Sequence, residues 1–169
     1  MRQGSLRAIA ALLAAIWLAA PAAAKPPIGL TRAVEIAERA LAAHAVAAEL
    51  EREGERAIYE IDLVRDGRLL EARIRAADGR LLTATRPLVR GYWHRLFRAE
   101  NLRAAGRARP LAETLAALER QNGGEVRAVS LEVEDGRAMY RVRIASGAGI
   151  AEIRVDPITG RRISFRYDE

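Results

Sequence analysis

The chain contains no cysteine, which excludes disulfides, thiolate metal sites and lipid attachment at a cleavage-site cysteine. Stability must therefore come from packing. Lysine is almost as scarce: Lys25 stands alone, and every other basic side chain is arginine. With abundant alanine, this points to the codon usage of a high-GC bacterium. Histidine occurs twice, at His44 and His94. No His-Glu-x-x-His helix can bind zinc, and no serine stands in the Gly-x-Ser-x-Gly setting of an esterase elbow. His44 reads as an exposed residue near a helix end.

Other catalytic groups are missing as well. Ser146-Gly147-Ala148-Gly149 lies between two strand patterns and so reads as a hairpin turn, not a phosphate loop. Glu132 and Glu134 fall on the outward side of their strand, away from any apolar pocket that would tune a general acid. The sequence thus suggests no catalytic residue, no cofactor and no metal ligand.

No apolar run is long enough to span a bilayer, which takes about 20 residues. The longest is Ala8 to Ala20, preceded by Arg2 and Arg7 and followed by Pro21-Ala22-Ala23-Ala24. Residues 1–24 read as a secretory signal peptide cleaved before Lys25, the alternative being an uncleaved membrane anchor. A periplasmic or secreted location is expected.

What the chain does have is a repeat. A shift of 81 residues lays Leu30–Ala84 on Leu111–Phe165 without a gap, with 14 of 55 positions identical. Among these are Glu38/Glu119, Tyr59/Tyr140, Glu71/Glu152, Arg73/Arg154 and Gly79/Gly160. Two copies of one module follow. In the second copy, Pro110 can open a helix whose stripe is Leu111, Leu115 and Leu118, and Gly123 can close it. In the first copy, Thr31 is the expected N-cap. The alanine-rich stretch could carry that helix as far as Glu53.

After each helix the period changes to two, placing Tyr59 and Tyr140 in the inward set of the central strand. Asp66-Gly67 and Asp135-Gly136 are type I′ hairpin signals. The expected fold is α+β: two tandem modules, at 30–84 and 110–165, each one helix on a three-stranded antiparallel meander, joined by a linker at 85–109. The hairpin register sets Glu60 opposite Arg73 and Arg143 opposite Glu152. Glu60 and Asp62 take the places that Arg141 and Arg143 hold in the second copy.

The linker holds seven arginines against one acid, Glu100. Trp93, Leu96 and Phe97 would form an apolar stripe if the linker is helical. Two readings stay open: a plain connecting helix, or a contact for an acidic partner surface or anionic lipid through Arg90, Trp93, Arg95, Phe97 and Arg98. Nucleic acid is not expected as a partner of an exported chain.

The run Ile150-Ala151-Glu152-Ile153-Arg154-Val155-Asp156-Pro157-Ile158-Thr159-Gly160-Arg161-Arg162-Ile163 resembles the PepSY domain, with the second copy carrying the likeness best. The first copy lacks the Asp-x-x-Thr-Gly turn, having Arg75 and Asp78 in place of the Asp and Thr. The resemblance implies a non-enzymatic extracytoplasmic module. Such modules occur in propeptides of thermolysin-type metallopeptidases and in small periplasmic proteins associated with envelope sensing. The partner it implies is a peptidase or the outer domain of an envelope sensor. The alternative is a structural, lipid-facing envelope protein using the arginine-rich linker.

Overall fold

The computed structural model describes residues 26–86 and 105–167. The first repeat forms α1 (Leu30–Leu41), β1 (His44–Glu53), β2 (Arg56–Arg65), β3 (Arg68–Arg75) and β4 (Leu81–Thr85). The second forms α2 (Leu111–Asn122), β5 (Glu125–Glu134), β6 (Arg137–Ser146), β7 (Gly149–Val155) and β8 (Arg162–Tyr167).

The fold is α+β, but it is not two modules with three-stranded meanders. The strands build one eight-stranded antiparallel sheet in the order β4-β3-β2-β1-β5-β6-β7-β8. The first strand of each meander would otherwise present an unpaired edge, and the two edges satisfy each other. Ala48 pairs with Val129, flanked by Ala47↔Ser130 and Glu49↔Ala128. These three pairs map onto one another under the 81-residue shift, so an approximate two-fold axis passes between Ala48 and Val129.

Each repeat also has a fourth strand. Four of the five residues of β4 are exposed, and β8 is exposed at all positions but one. Neither has the buried alternating face that gives a strand its period-two signal. The helical reading as far as Glu53 fails because β1 is paired on both sides, and tertiary pairing overrides alanine's helix preference.

α1 and α2 lie on the same side of the sheet. α1 packs on β1, β2, β3 and β5, and α2 packs on α1, β1 and β5. Val34, Ala37, Leu111 and Leu115 meet Ile61, Ile74, Val142 and Ile153 in one core drawn from both halves. Tyr59 and Tyr140, 2% and 0% exposed, occupy equivalent places in it.

The turn signals are realised: φ is positive at Asp66 and Gly67 and at Asp135 and Gly136, as a type I′ turn requires. α2 begins after Pro110 and ends at the left-handed Gly123. α1 is capped by Gly29 instead of Thr31, whose hydroxyl is buried inside the first turn without a partner.

Candidate recognition surface

The face of the sheet opposite α1 and α2 is divided by charge. On its first half, Glu49 pairs in register with Glu60, Glu60 with Arg73, and Asp62 with Glu71. The arginines beside them are engaged elsewhere: Arg73 with Glu53, and Arg75 with Asp78 at 3.2 Å. Asp62 is only 4% exposed. Burial, then the like charges of Glu60, Glu71 and Glu49, push its carboxyl up to about 7. Glu60 is raised to about 7 by burial and by the like charges of Glu51 and Glu71.

The equivalent positions of the second half close on themselves. Arg141 reaches Glu132 at 2.9 Å and Glu152 at 3.6 Å. Arg154 reaches Glu134 at 2.8 Å and Glu152 at 3.4 Å, while Arg166 meets Glu152 at 3.5 Å. One half of the face is thus a neutralised network, and the other is a field of carboxylates. The register expected at Glu60, Asp62, Arg141 and Arg143 is observed.

The sheet's two edges also differ. On β8, Ile163, Phe165 and Tyr167 are 55%, 37% and 57% exposed, whereas β4 shows only Leu82 among large apolar residues. Phe165 and Tyr167 stack edge to face at 5.1 Å, opposite Ile153 and Ala151. They therefore lie on the helix side of the sheet. α1 and α2 sit over its centre and stop short of this margin. Arg162 lies over the Phe165 ring at 5.7 Å. Among the described residues no strand lies beyond β8, and an edge strand with exposed aromatic side chains is a template for a further strand.

The turn before β8 is the Asp-x-x-Thr-Gly motif. One Asp156 oxygen accepts the backbone N–H groups of Ile158 and Thr159, at 3.0 and 2.7 Å, and the Thr159 hydroxyl at 3.0 Å. These bonds hold its carboxyl below the usual range. The motif therefore serves to aim β8. In the first repeat, Asp78 does related work by accepting the Arg80 N–H and pairing with Arg75.

Between the helices an open cleft of about 540 Å³ is lined by Thr31, Glu35, Glu38, Arg39, His44 and Glu113, among others. Its most buried acid is already committed. Glu38 accepts N–H groups from Ala45 at 3.1 Å, Leu111 at 3.0 Å and Ala112 at 3.3 Å. Burial raises its carboxyl, and these bonds oppose the rise. Among the described residues, no three His, Asp or Glu side chains are placed to hold a metal ion.

The candidate contact residues Arg90, Trp93, Arg95, Phe97 and Arg98 lie outside the described residues, as do residues 1–24. Sequence reasoning missed the β8 margin and the burial of Asp62. The inward–outward alternation had already put Asp62 on the wet face, so only tertiary structure could show it buried.

Residues 27–84 match the PepSY family model, the peptidase propeptide and YPEB domain. The match falls on the first repeat, not on the second, where the motif looked stronger. The second repeat is related to the first by the 81-residue shift and the symmetric pairing at Ala48, not by that match. A crystal structure of a Clostridium difficile 630 protein, described provisionally as a lipoprotein, is similar at 19% identity with a TM-score of 0.44. The alignment covers 84% of this chain and 93% of that one. No curated protein sequence matches. Among the described residues, no helix is long and apolar enough to cross a membrane.

Proposed function

We propose that this is a non-catalytic recognition protein of the bacterial envelope that captures an extended segment of a partner on the free edge of β8. The PepSY match over residues 27–84 supports a peptidase or the outer domain of an envelope sensor as that partner. The observation that carries the reading is the β8 margin. Ile163, Phe165 and Tyr167 stay exposed in a chain with only two phenylalanines and four tyrosines. Backbone pairing would supply affinity, and the aromatic pair would supply selectivity.

The test is affinity capture from a bacterial envelope extract, comparing the native chain with an Ile163→Asp/Tyr167→Asp variant. Both side chains are more than half exposed, so folding should be retained. Loss of one specific peptidase or sensor from the variant's eluate supports the reading. An unchanged eluate contradicts it.

A further inference from the structure

The acidic half of the face opposite α1 and α2 carries charge that the described side chains do not balance. Glu49, Glu51, Glu60, Asp62 and Glu71 share neighbouring outward positions on three strands. None of them has an ion pair among the described residues, since Arg73 and Arg75 are held by Glu53 and Asp78. Asp62, at the centre of β2, is 96% buried and has neither a hydrogen bond nor a cation among the described residues. A carboxylate withdrawn from water without a partner is costly, and acidic neighbours raise that cost. The second half shows how these positions are balanced elsewhere: Arg141 takes the place of Glu60, and Arg143 that of Asp62. No three acids converge tightly enough for a metal ion among the described residues. The matching counter-charge is a row of guanidinium groups spread along the face.

We propose that this acidic face is the seat of the chain's own arginine-rich segment, residues 87–104, with Arg90, Arg95 and Arg98 set against Glu60, Asp62 and Glu71. The path of the chain favours this occupant. β4 ends at Thr85, which pairs with Glu71, so the chain leaves the described region at Arg86 beside the acidic cluster. It is described again from Ala105, which is fully buried. A segment tethered at its first residue beside a complementary surface competes at roughly millimolar effective concentration, ahead of any dilute partner. The arginines of the segment and the carboxylates of the face thus satisfy each other within one molecule, and anionic lipid must compete for the same guanidinium groups.

The absence of cysteine makes a direct test simple. In the full chain, Glu60→Cys is combined in turn with Arg90→Cys, Arg95→Cys and Arg98→Cys, and each protein is oxidised mildly at low and high salt. The expected result is an intramolecular disulfide in at least one pair, read as loss of both free thiols in a monomer. Its yield should fall as salt screens the contact. Arg141→Cys, at the equivalent place in the neutralised half, should form no such bond with the same partners. Disulfides only between molecules would assign the face to a second copy and overturn the proposal. No disulfide in any Glu60→Cys pair, or equal yields from Arg141→Cys, would also overturn it.

Discussion

Glu38 caps a helix that begins 73 residues further along the chain: its carboxylate accepts the N–H of Leu111 at 3.0 Å. The neighbouring N–H of Ala112 is held as well, at 3.3 Å, in place of the local cap that Pro110 cannot supply. The last turn of α1 is thereby fastened to the first turn of α2. Under the repeat, Glu119 is the equivalent residue, and its one backbone bond of this kind is to Val126 at 3.0 Å. The symmetric sequence is used asymmetrically.

Glu38→Ala should therefore cost more than Glu119→Ala. Three backbone donors lose their acceptor in the first case and one in the second, at about 1 kcal/mol or more for each that stays buried. Denaturant melts should show a loss of about 2 to 4 kcal/mol for Glu38→Ala and about 1 kcal/mol for Glu119→Ala. Equal losses would show that Glu38 does not join the halves.

Asp62 makes stability depend on pH in an unusual direction. Its folded-state carboxyl lies at about 7, well above the usual value, because of burial and the like charges of Glu49, Glu60 and Glu71. The folded state therefore holds a proton that the unfolded chain releases at lower pH. This favours folding most below the unfolded value near 4, and the advantage is lost as pH rises through about 7. Glu60 acts in the same sense. At high salt, which screens the arginine segment from this face, thermal melts should show a higher Tm at pH 5 than at pH 8. Asp62→Asn should flatten that dependence and raise Tm at pH 8.

Tyr140 lies against the helices and donates its hydroxyl proton to the carbonyl of Ala45 in the other half, at 3.3 Å. Tyr140→Ala should cost on the order of 3 to 5 kcal/mol, as large aromatic truncations do. Its outward neighbour Arg141 is part of a charge network with Glu132 and Glu152. Arg141→Ala should cost only about 0.5 to 1 kcal/mol and less at high salt, which denaturant melts at two ionic strengths would read.

The residues themselves made much of this fold legible. The 81-residue shift, the type I′ turns at Asp66 and Asp135, the inward tyrosines and the Glu60–Arg73 register all arise from local chemistry or from one buried face. The strands β4 and β8 were not legible, because an edge strand with an exposed face has no alternation to read. The union of two meanders into one sheet was hidden for a related reason. It depends on the Ala47–Glu49 and Ala128–Ser130 edges meeting, and small or polar side chains there do not name a partner. The β8 margin was the least legible, since Ile163 and Phe165 look like core residues until α1 and α2 are seen to stop short of β8.

Site-specific photo-crosslinking in intact cells tests the recognition reading most directly. A photoreactive residue is placed at Phe165 or Tyr167 on the β8 margin, and at Leu82 on the opposite edge as a control. Capture on β8 predicts a discrete adduct with one envelope peptidase or sensor from Phe165 and Tyr167, lost in the Ile163→Asp background, and no such adduct from Leu82. Equal adducts from both edges, or none from β8 while the protein is folded and exported, would contradict it.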